Sequence, residues 1–239
     1  MEPIIELKNV SGRKIEDVSM AIYPSDKIVL LGPSGGGKTT LLRFINLLET
    51  PRSGDIKYHG EAIDGHSYPQ IRRKIVLLPQ TPVVVDGTVL ENVNWAHSFK
   101  LSAGSGVGDG DFMSCLNVVG IKHLADKPAE QLSGGEKQRL NLAMGFSIKP
   151  ELMLLDEPTS ALDPSASAGI HAVINRLHGK GVSFVIVTHS FAEAVLLADR
   201  IGIIIDGRLE QLDKKENVIN NPITDSVKQF IISHRQNGS

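Results

Sequence analysis

The feature that most constrains this chain is a glycine-rich segment, residues 32–40, which reads G-P-S-G-G-G-K-T-T. It lies between an apolar run, Lys27 to Leu31, and an amphipathic run, Leu41 to Leu48. A G-x-x-x-x-G-K-[ST] segment between a strand and a helix indicates a phosphate-binding loop, and this context disfavours a turn without a ligand. Glycines let successive N–H groups face one anion, Lys38 adds a charge, and Thr39 offers a hydroxyl to magnesium. We therefore predict a nucleoside triphosphate site.

Composition excludes several other classes of protein. The 239 residues allow one large α/β domain, or a core domain with a small insertion. A net charge of -2 with no run of lysine or arginine disfavours a nucleic-acid partner. The single cysteine, Cys115, allows no internal disulfide, and we interpret it as a small core residue rather than a reactive thiol.

The chain shows no sign of a membrane-spanning segment. Its longest apolar runs, such as Ile201 to Ile205, are far shorter than the ~18 to 20 residues that a spanning helix needs. The N-terminus enters a strand-like run directly, without the features of a signal peptide. We expect a soluble, cytoplasmic protein that reaches a membrane only through a partner.

Alternating apolar runs predict an α/β fold with a mostly parallel sheet and helices on both faces. Ligands then bind beyond the carboxyl ends of the strands. The predicted strands are residues 4–8, 15–22, 27–31, 56–58, 74–78, 152–155, 183–188 and 201–205, and the predicted helices of this core are residues 41–48, 165–177 and 191–197.

The middle of the chain, about Pro82 to Gln138, lacks strong strand patterns and is predicted to be a helical insertion. Its helices are expected over Thr88 to Ala96 and Asp111 to Val119. The glycine-dense stretch Ser102 to Gly110 has neither a lysine nor a preceding strand, so we interpret it as a flexible connector rather than a second phosphate loop.

A second chemical motif, L-M-L-L-D-E, ends with Asp156 and Glu157. In phosphoryl transfer, one carboxylate supports magnesium and another group orients the attacking water. Asp156 fits the metal role and Glu157 fits the base. Seen alone, the pair could simply end a strand before Pro158, but the phosphate loop favours the catalytic interpretation.

A third motif, L-S-G-G-E-K-Q-R, covers residues 132–139. Ser133 and Glu136 have the spacing of a capping box, which would begin a helix through Leu140 and Met144. The exposed N–H groups of a helix that starts with two glycines would equally suit an anion. Local chemistry leaves both interpretations open.

Taken together, these three motifs resemble the ATP-binding cassette (ABC) ATPases, for which L-S-G-G-E is nearly diagnostic. The resemblance covers roughly residues 4 to 212. Gln80 in L-L-P-Q resembles the family's Q-loop glutamine, S-A-L-D at residues 160–163 resembles its D-loop, and His189 resembles its switch histidine. As an isolated feature, His189 would be an ordinary residue at a strand end.

The resemblance implies a P-loop NTPase (RecA-like) core with an N-terminal antiparallel β region and an inserted helical subdomain. The chain would form a single ABC ATPase domain over residues 1–239. Its catalytic core would be residues 1–81 and 139–239, its helical subdomain residues 82–138, and its C-terminal helix residues 224–235. We expect no regulatory domain after that helix.

The resemblance also implies ATP and Mg²⁺ as cofactors and a head-to-tail, ATP-dependent dimer, expected to be a homodimer. Glu157, His189 and Lys38 would be catalytic, and Thr39, Gln80 and Asp156 would serve the magnesium ion. The nucleotide would be bound by Gly32, Pro33, Ser34, Gly35, Gly36, Gly37, Lys38, Thr39, Thr40 and Gln80, together with Ser133, Gly134, Gly135 and Asp163.

One departure from the family concerns the adenine base. Family members usually carry an aromatic residue shortly after the first strand, but residues 9–14 contain none. We hypothesise that Arg13 contacts the base through a cation–π interaction, which would make the site discriminate weakly between ATP and GTP.

Three functions are compatible with the sequence. The leading one is the ATPase subunit of a transporter, which would lie on the inner face of the cell membrane through a permease subunit. Residues 82–85 lie where that subunit would dock, although the three valines there could equally be buried in the insertion. The second is a soluble ABC ATPase, for example of the iron–sulfur assembly type. The third, an inactive regulatory cassette, is disfavoured because Glu157 and His189 are present. The motifs leave transport direction and cargo open.

Overall fold

The architecture comes from a computed structural model that describes residues 1–63, 67–101 and 112–236, with the side chains at 99–101 and 235–236 left aside. The glycine-dense stretch Ser102 to Gly110 lies outside these residues, so its interpretation as a connector stays a prediction.

The larger sheet contains six strands in the order β10-β9-β3-β8-β7-β6. Strands β9, β3, β8, β7 and β6 run parallel, and β10 pairs antiparallel with β9 at the edge. The predicted mostly parallel sheet is therefore confirmed. The strands are β3 Lys27–Leu31, β6 Ile75–Leu78, β7 Leu152–Asp156, β8 Ser183–Val187, β9 Arg200–Ile205 and β10 Arg208–Lys214.

The central strands are buried on both faces, which explains their continuous apolar sequences. Along β3, Ile28 and Leu30 pack into one core cluster, whereas Val29 and Leu31 pack into another. The first cluster joins the sheet to helix α1 (Lys38–Ile45), to Ile71 and to the N-terminal sheet, and the second joins it to helices later in the chain. Because core residues hold these strands on both faces, their carboxyl ends lie in one row along the same edge of the sheet.

The N-terminal part forms a separate four-stranded antiparallel sheet, ordered β2-β1-β4-β5, which confirms the antiparallel region that the resemblance implies. The first strand extends to Gly12, beyond the predicted end at Lys8, because it pairs with both β2 and β4 through irregular register shifts. The strands are β1 Ile5–Gly12, β2 Ile15–Ile22, β4 Ser53–Tyr58 and β5 Glu61–Ala62.

Helices dominate the middle of the chain, as predicted. Within the described part of residues 82–138, the one bridge outside named strands joins Thr88 and Pro128. The predicted boundary at residue 138 falls inside a continuous helix, α5, so the division into subdomains stays a prediction. The helices here are α3 Val89–Leu101, α4 Phe112–Val119 and α5 Gly134–Ser147, with short 3-10 turns at Lys122–Leu124 and Ala129–Gln131.

Several element bounds differ from the sequence prediction. Helix α1 covers Lys38–Ile45 rather than Leu41 to Leu48, because it begins within the phosphate loop itself. The sequence analysis missed α2, Tyr68–Lys74, since only Ile71 of that helix is buried. It also missed α8, Lys215–Asn220, and the edge strand β10. The other helices are α6 Pro164–His178, α7 Phe191–Leu197 and α9 Asp225–Gln236.

Candidate active site

Four neighbouring parallel strands deliver the predicted catalytic residues to one edge of the larger sheet. The phosphate loop follows β3, His189 follows β8, Glu157 follows β7 and Gln80 follows β6. These strands are adjacent in the order β3-β8-β7-β6. Because the carboxyl ends of parallel strands meet at one edge, residues far apart in sequence come together there. His189 lines an adjoining cleft rather than the cleft at the phosphate loop.

The glycines of the phosphate loop are required by close contacts with neighbouring backbone. A Cβ atom on Gly32 would lie 1.9 Å from the Ile204 carbonyl oxygen, and one on Gly37 would lie 2.7 Å from the Lys14 carbonyl oxygen. Gly37 also has φ 96°, a left-handed conformation that side chains disfavour. It immediately precedes α1, so the N–H groups of the first helical turn, which have no partner within the helix, lie at the loop.

Lys38 is held at the base of this loop. Its ammonium donates hydrogen bonds to the carbonyl oxygens of Gly32 at 2.7 Å and Pro33 at 2.8 Å. Burial lowers the pKa of Lys38, while the carboxylates of Glu157 and Asp156 oppose that shift. The lysine is therefore a buried cation at the base of the loop, a setting that suits a polyanionic ligand.

A hydroxyl and a carboxylate meet beside this lysine. The Thr39 hydroxyl donates to Asp156 Oδ2 at 2.9 Å. Burial raises the pKa of Asp156, and the neighbouring Glu157 acts in the same direction, whereas the Thr39 hydrogen bond lowers it. A bound cation would relieve this cost of ionising Asp156.

The donor set fits magnesium shared with a phosphate rather than a closed metal cage. Among the described residues, no group of three or more His, Cys, Asp or Glu side chains is placed to hold a metal ion. Magnesium is usually bound through one or two carboxylates together with substrate phosphates and water. Asp156 and Thr39 match that pattern.

Glu157 lies at the junction of the other predicted catalytic residues. Gln80 Nε2 donates to Glu157 Oε2 at 3.3 Å, and His189 Nδ1 lies 3.3 Å from the same oxygen. Glu157 has φ 47°, a left-handed backbone for a residue other than glycine, and its N–H donates to the Val187 carbonyl oxygen at 2.9 Å. Strained backbone of this kind concentrates at functional sites.

The cleft at this edge has a volume of about 360 Å³. Its walls include most of the predicted loop residues, Gln80, Asp156 and Glu157. Sequence analysis missed Lys14 and Arg43, which also line it. Arg43 follows Thr39 by four residues, so helical spacing placed it on the same side of α1, although a lone arginine is a weak signal.

Outside the phosphate loop, four predicted nucleotide contacts do not line this cleft: Ser133, Gly134, Gly135 and Asp163. Ser133 caps α5 in a capping box with Glu136, as the sequence predicts, and hydrogen bonds from Ser133 lower the pKa of Glu136. Asp163 caps α6 by accepting from the Ala166 N–H at 2.9 Å. Within one chain, these residues are thus at a separate surface.

Helices long and apolar enough to cross a membrane are absent from the part of the chain that the structure describes.

Comparison with known proteins identifies the chain's relatives. Residues 15–160 match the family model described as ABC transporter. The chain is 36% identical over 236 residues to the sulfate/thiosulfate import ATP-binding protein CysA of Pseudomonas aeruginosa, an alignment that covers 95% of this chain and 71% of CysA.

Two solved structures share the fold. The cbiO1 protein of Clostridium perfringens, part of the ABC transporter complex cbiONQ, has a TM-score of 0.84 at 22% identity and covers 100% of this chain and 98% of its own. The ATP-binding cassette MJ0796, solved as a dimer in a post-hydrolysis state with ADP and Pi, has a TM-score of 0.76 at 28% identity, covering 88% of this chain and 98% of MJ0796. The chain therefore belongs to the ABC transporter family, as the ATP-hydrolysing subunit of a membrane transporter.

Proposed function

We propose that the cleft beyond β3, β8, β7 and β6 binds Mg-ATP and hydrolyses it with the residues that the sequence predicts. The observation that carries this proposal is the convergence of Lys38, Asp156 and Glu157 at one edge of the sheet, with Thr39 hydrogen-bonded to Asp156. Lys38 and the N–H groups of residues 32–40 would hold the phosphates. Magnesium, when bound by Thr39, Asp156 and the amide oxygen of Gln80, would neutralise charge on the phosphates.

Glu157 is proposed to polarise the attacking water. Among the described hydrogen bonds and ion pairs, both contacts of its carboxylate, from Gln80 and His189, involve Oε2, which leaves Oε1 available to water. His189 is proposed to orient the same water against the terminal phosphate. The proton lost from the water would pass to Glu157, and the P–O bond to ADP would break as the new P–O bond forms.

A second copy of the chain is proposed to complete each site. The cleft of the same chain is not lined by Ser133, Gly134, Gly135 or Asp163. Helix α5 nevertheless begins at Ser133 and the two glycines, with exposed N–H groups. A helix N-terminus favours negative charge. In a head-to-tail dimer, the start of α5 would close on the phosphates held by the partner's loop, and ATP would join the two copies.

The permease is proposed to dock on an apolar groove of about 200 Å³ beside the strand that leads to Gln80. Val83, 49% exposed, and Trp95, 43% exposed, lie on its walls. The buried Asn141 Nδ2 has no hydrogen-bond partner among the described residues, although Asn141 lines the groove. A carbonyl oxygen at the end of a permease helix would satisfy that donor.

The test of this proposal is to express tagged Glu157→Gln protein in its native cell, solubilise membranes gently with ATP, and identify what co-purifies. We expect a stoichiometric multi-span membrane protein. Adding Val83→Asp should abolish its recovery, because a charge in an apolar groove is costly to bury. Met113→Asp is the matched control, since Met113 is an exposed apolar residue that does not line the groove. Recovery with soluble partners alone would contradict the transporter role.

Location and direction are part of the same proposal. The chain would lie at the inner face of the cell membrane, held there by the permease, and it would drive import. The import function in the name of CysA supports this direction.

The nucleotide base is proposed to lie against Arg13. Arg13 lines both the phosphate cleft and an adjoining cleft, and its guanidinium pairs with Glu49, which also pairs with Arg43 at 2.9 Å. A guanidinium contacts the face of either purine.

This proposal predicts that calorimetric titration will give affinities for ATP and GTP within about fivefold, or about 1 kcal/mol. Arg13→Ala should weaken both by about two- to fivefold, as expected for an exposed cation–π contact. Arg208→Ala, which removes another exposed arginine paired with a glutamate, serves as the control. A strong ATP preference that survives Arg13→Ala would contradict the hypothesis.

A further inference from the structure

Glu193 is a buried carboxylate outside the nucleotide cleft that the proposed mechanism leaves without a role. It lies in the first turn of α7, four residues after His189, and is 5% exposed. Three side chains donate to it: Thr159 Oγ1 at 2.8 Å and His171 Nε2 at 2.9 Å to Oε1, and Thr188 Oγ1 at 2.6 Å to Oε2. A buried carboxylate is costly unless its partners compensate.

These partners come from three separate parts of the catalytic edge. Thr159 follows Glu157 by two residues, Thr188 directly precedes His189, and His171 belongs to α6, which Asp163 caps. One carboxylate therefore joins the turn after Glu157, the end of the segment that carries His189, and the helix that begins at Asp163.

The segment around His189 is bonded to Glu193 through its carboxylate and its backbone N–H, in addition to the backbone bond from the Thr188 N–H to the Leu30 carbonyl oxygen at 3.2 Å. The Thr188 hydroxyl donates to Glu193 and accepts from the Ser190 N–H at 3.0 Å, while the Ser190 hydroxyl accepts from the Glu193 N–H at 3.2 Å. The His189 side chain is itself 62% exposed, so packing does not fix its position. Its backbone lies between two residues that Glu193 anchors.

The turn after Glu157 is also bonded to Glu193. Ser160 N–H and the Ser160 hydroxyl both contact the Glu157 carbonyl oxygen, at 3.3 Å and 3.1 Å. Thr159 lies within that turn and donates to Glu193. The Glu157–His189 contact of 3.3 Å thus joins two segments that the pairing of β7 with β8 brings together and whose side chains Thr159 and Thr188 both bond to Glu193.

Glu193 is ionised in this setting. Burial alone would raise the pKa of Glu193, but hydrogen bonds from His171, Thr188 and Thr159 outweigh burial and lower it. An ionised carboxylate accepts all three bonds at once, and the neutral amide of a glutamine side chain offers only one accepting oxygen.

We propose that Glu193 is a positioning residue for ATP hydrolysis: by accepting bonds from Thr159, Thr188 and His171, it sets the placement of His189 relative to Glu157. This inference rests on the roles proposed for those two residues. It predicts an effect on turnover and none on nucleotide affinity, because Glu193 does not line the phosphate cleft. A small displacement of catalytic groups can cost roughly 100-fold in rate.

The test compares kcat with nucleotide affinity in the full-length chain. For Glu193→Gln we expect kcat for ATP to fall roughly 10- to 100-fold, with the affinity for Mg-ADP, measured by calorimetry, unchanged. Thr159→Val removes one donor with little change in shape and should lower kcat less. Gln211→Ala is the control, since it removes another buried polar residue, one that contacts Asn221 and Ile223 away from the cleft.

A double-mutant cycle separates positioning from general loss of structure. If Glu193 acts through His189, adding Glu193→Gln to His189→Ala should lower kcat little beyond His189→Ala alone. Additive losses would overturn the inference, as would normal kcat in folded Glu193→Gln and Thr159→Val proteins. If Glu193→Gln does not fold, Thr159→Val carries the same cycle.

The cycle also distinguishes failure of the inference from failure of the proposed function. Unchanged kcat in His189→Ala would refute the histidine's proposed role, and the inference would fall with it, because Glu193 would have no histidine to act through. A large loss in His189→Ala with none in the Glu193 and Thr159 variants would refute the inference alone.

Discussion

Replacement of Glu157 by glutamine is expected to lower kcat for ATP by roughly 10²- to 10⁴-fold, the range that a positioned general base contributes. Glutamine has nearly the same shape and keeps an oxygen for the contact with Gln80, but it cannot take a proton from water. ATP affinity should be largely retained, because the phosphates are proposed to bind at Lys38 and the loop. Removing the negative charge also lessens repulsion of the bound phosphates.

This change should also favour the closed dimer, since ATP that is not hydrolysed continues to join the two copies. Steady-state ATPase assays and size-exclusion chromatography with ATP measure the two effects. Glu151→Gln is the matched control: Glu151 lies beside the opposite end of β7, where it contacts Tyr58, His59 and Lys74, and its loss should leave kcat unchanged. Normal hydrolysis by Glu157→Gln would refute the base assignment.

The sheet could be predicted from sequence because its strands are buried on both faces. Continuous apolar runs such as 27–31, 152–156 and 183–187 have few alternative structures when helical patterns separate them. Because these strands were predicted to be parallel, their carboxyl ends were expected to lie together at one edge of the sheet. The prediction therefore reached the catalytic edge without any knowledge of strand order.

Elements with one buried face or a polar sequence were harder to predict. Strand β10 carries charged residues at both ends and is an edge strand, so its pairing with β9 depends on tertiary contacts. Helix α2 ends in three basic residues and buries only Ile71, which gives no apolar periodicity. Helix α1 begins at Lys38 because the loop geometry, rather than the apolar pattern, determines its first turn.

The site shows the same division between motif residues and residues brought in by the fold. Residues of the phosphate loop and of the L-M-L-L-D-E motif could be identified because spacing alone indicates their chemistry. Lys14 could not, since it lies near the site only through the packing of separate elements, and Arg43 and Glu193 could not, since a lone charged residue one helical turn from a motif is a weak signal. One sequence pattern does include Glu193, namely its S-x-x-E spacing from Ser190. That pattern predicts a helix cap, and it does not predict a carboxylate that accepts three side-chain hydrogen bonds.

Replacement of Lys38 by alanine is expected to have the second of the two largest effects, which is on nucleotide binding. Lys38→Ala should raise the Kd for ATP roughly 10- to 150-fold, because a hydrogen bond to a charged group contributes about 1.5–3 kcal/mol. Without nucleotide, the folded chain should tolerate Lys38→Ala, because burying the ammonium costs free energy. The lowered pKa of Lys38 reflects that cost. Its two bonds to carbonyl oxygens of the loop would be replaced by water, because the cleft is open to solvent.

Lys27→Ala is the matched control for this experiment. Lys27 is also a buried lysine, but it lies at the start of β3, the end of that strand opposite the phosphate loop, where its ammonium donates to Asn175 at 3.0 Å. Calorimetric titration with Mg-ADP and thermal unfolding should separate the two variants. Lys27→Ala should reduce stability without changing affinity, whereas Lys38→Ala should reduce affinity with little change in the melting temperature. Normal nucleotide affinity in Lys38→Ala would refute the assignment of residues 32–40 as the phosphate site, because no other buried cation lines the cleft among the described residues.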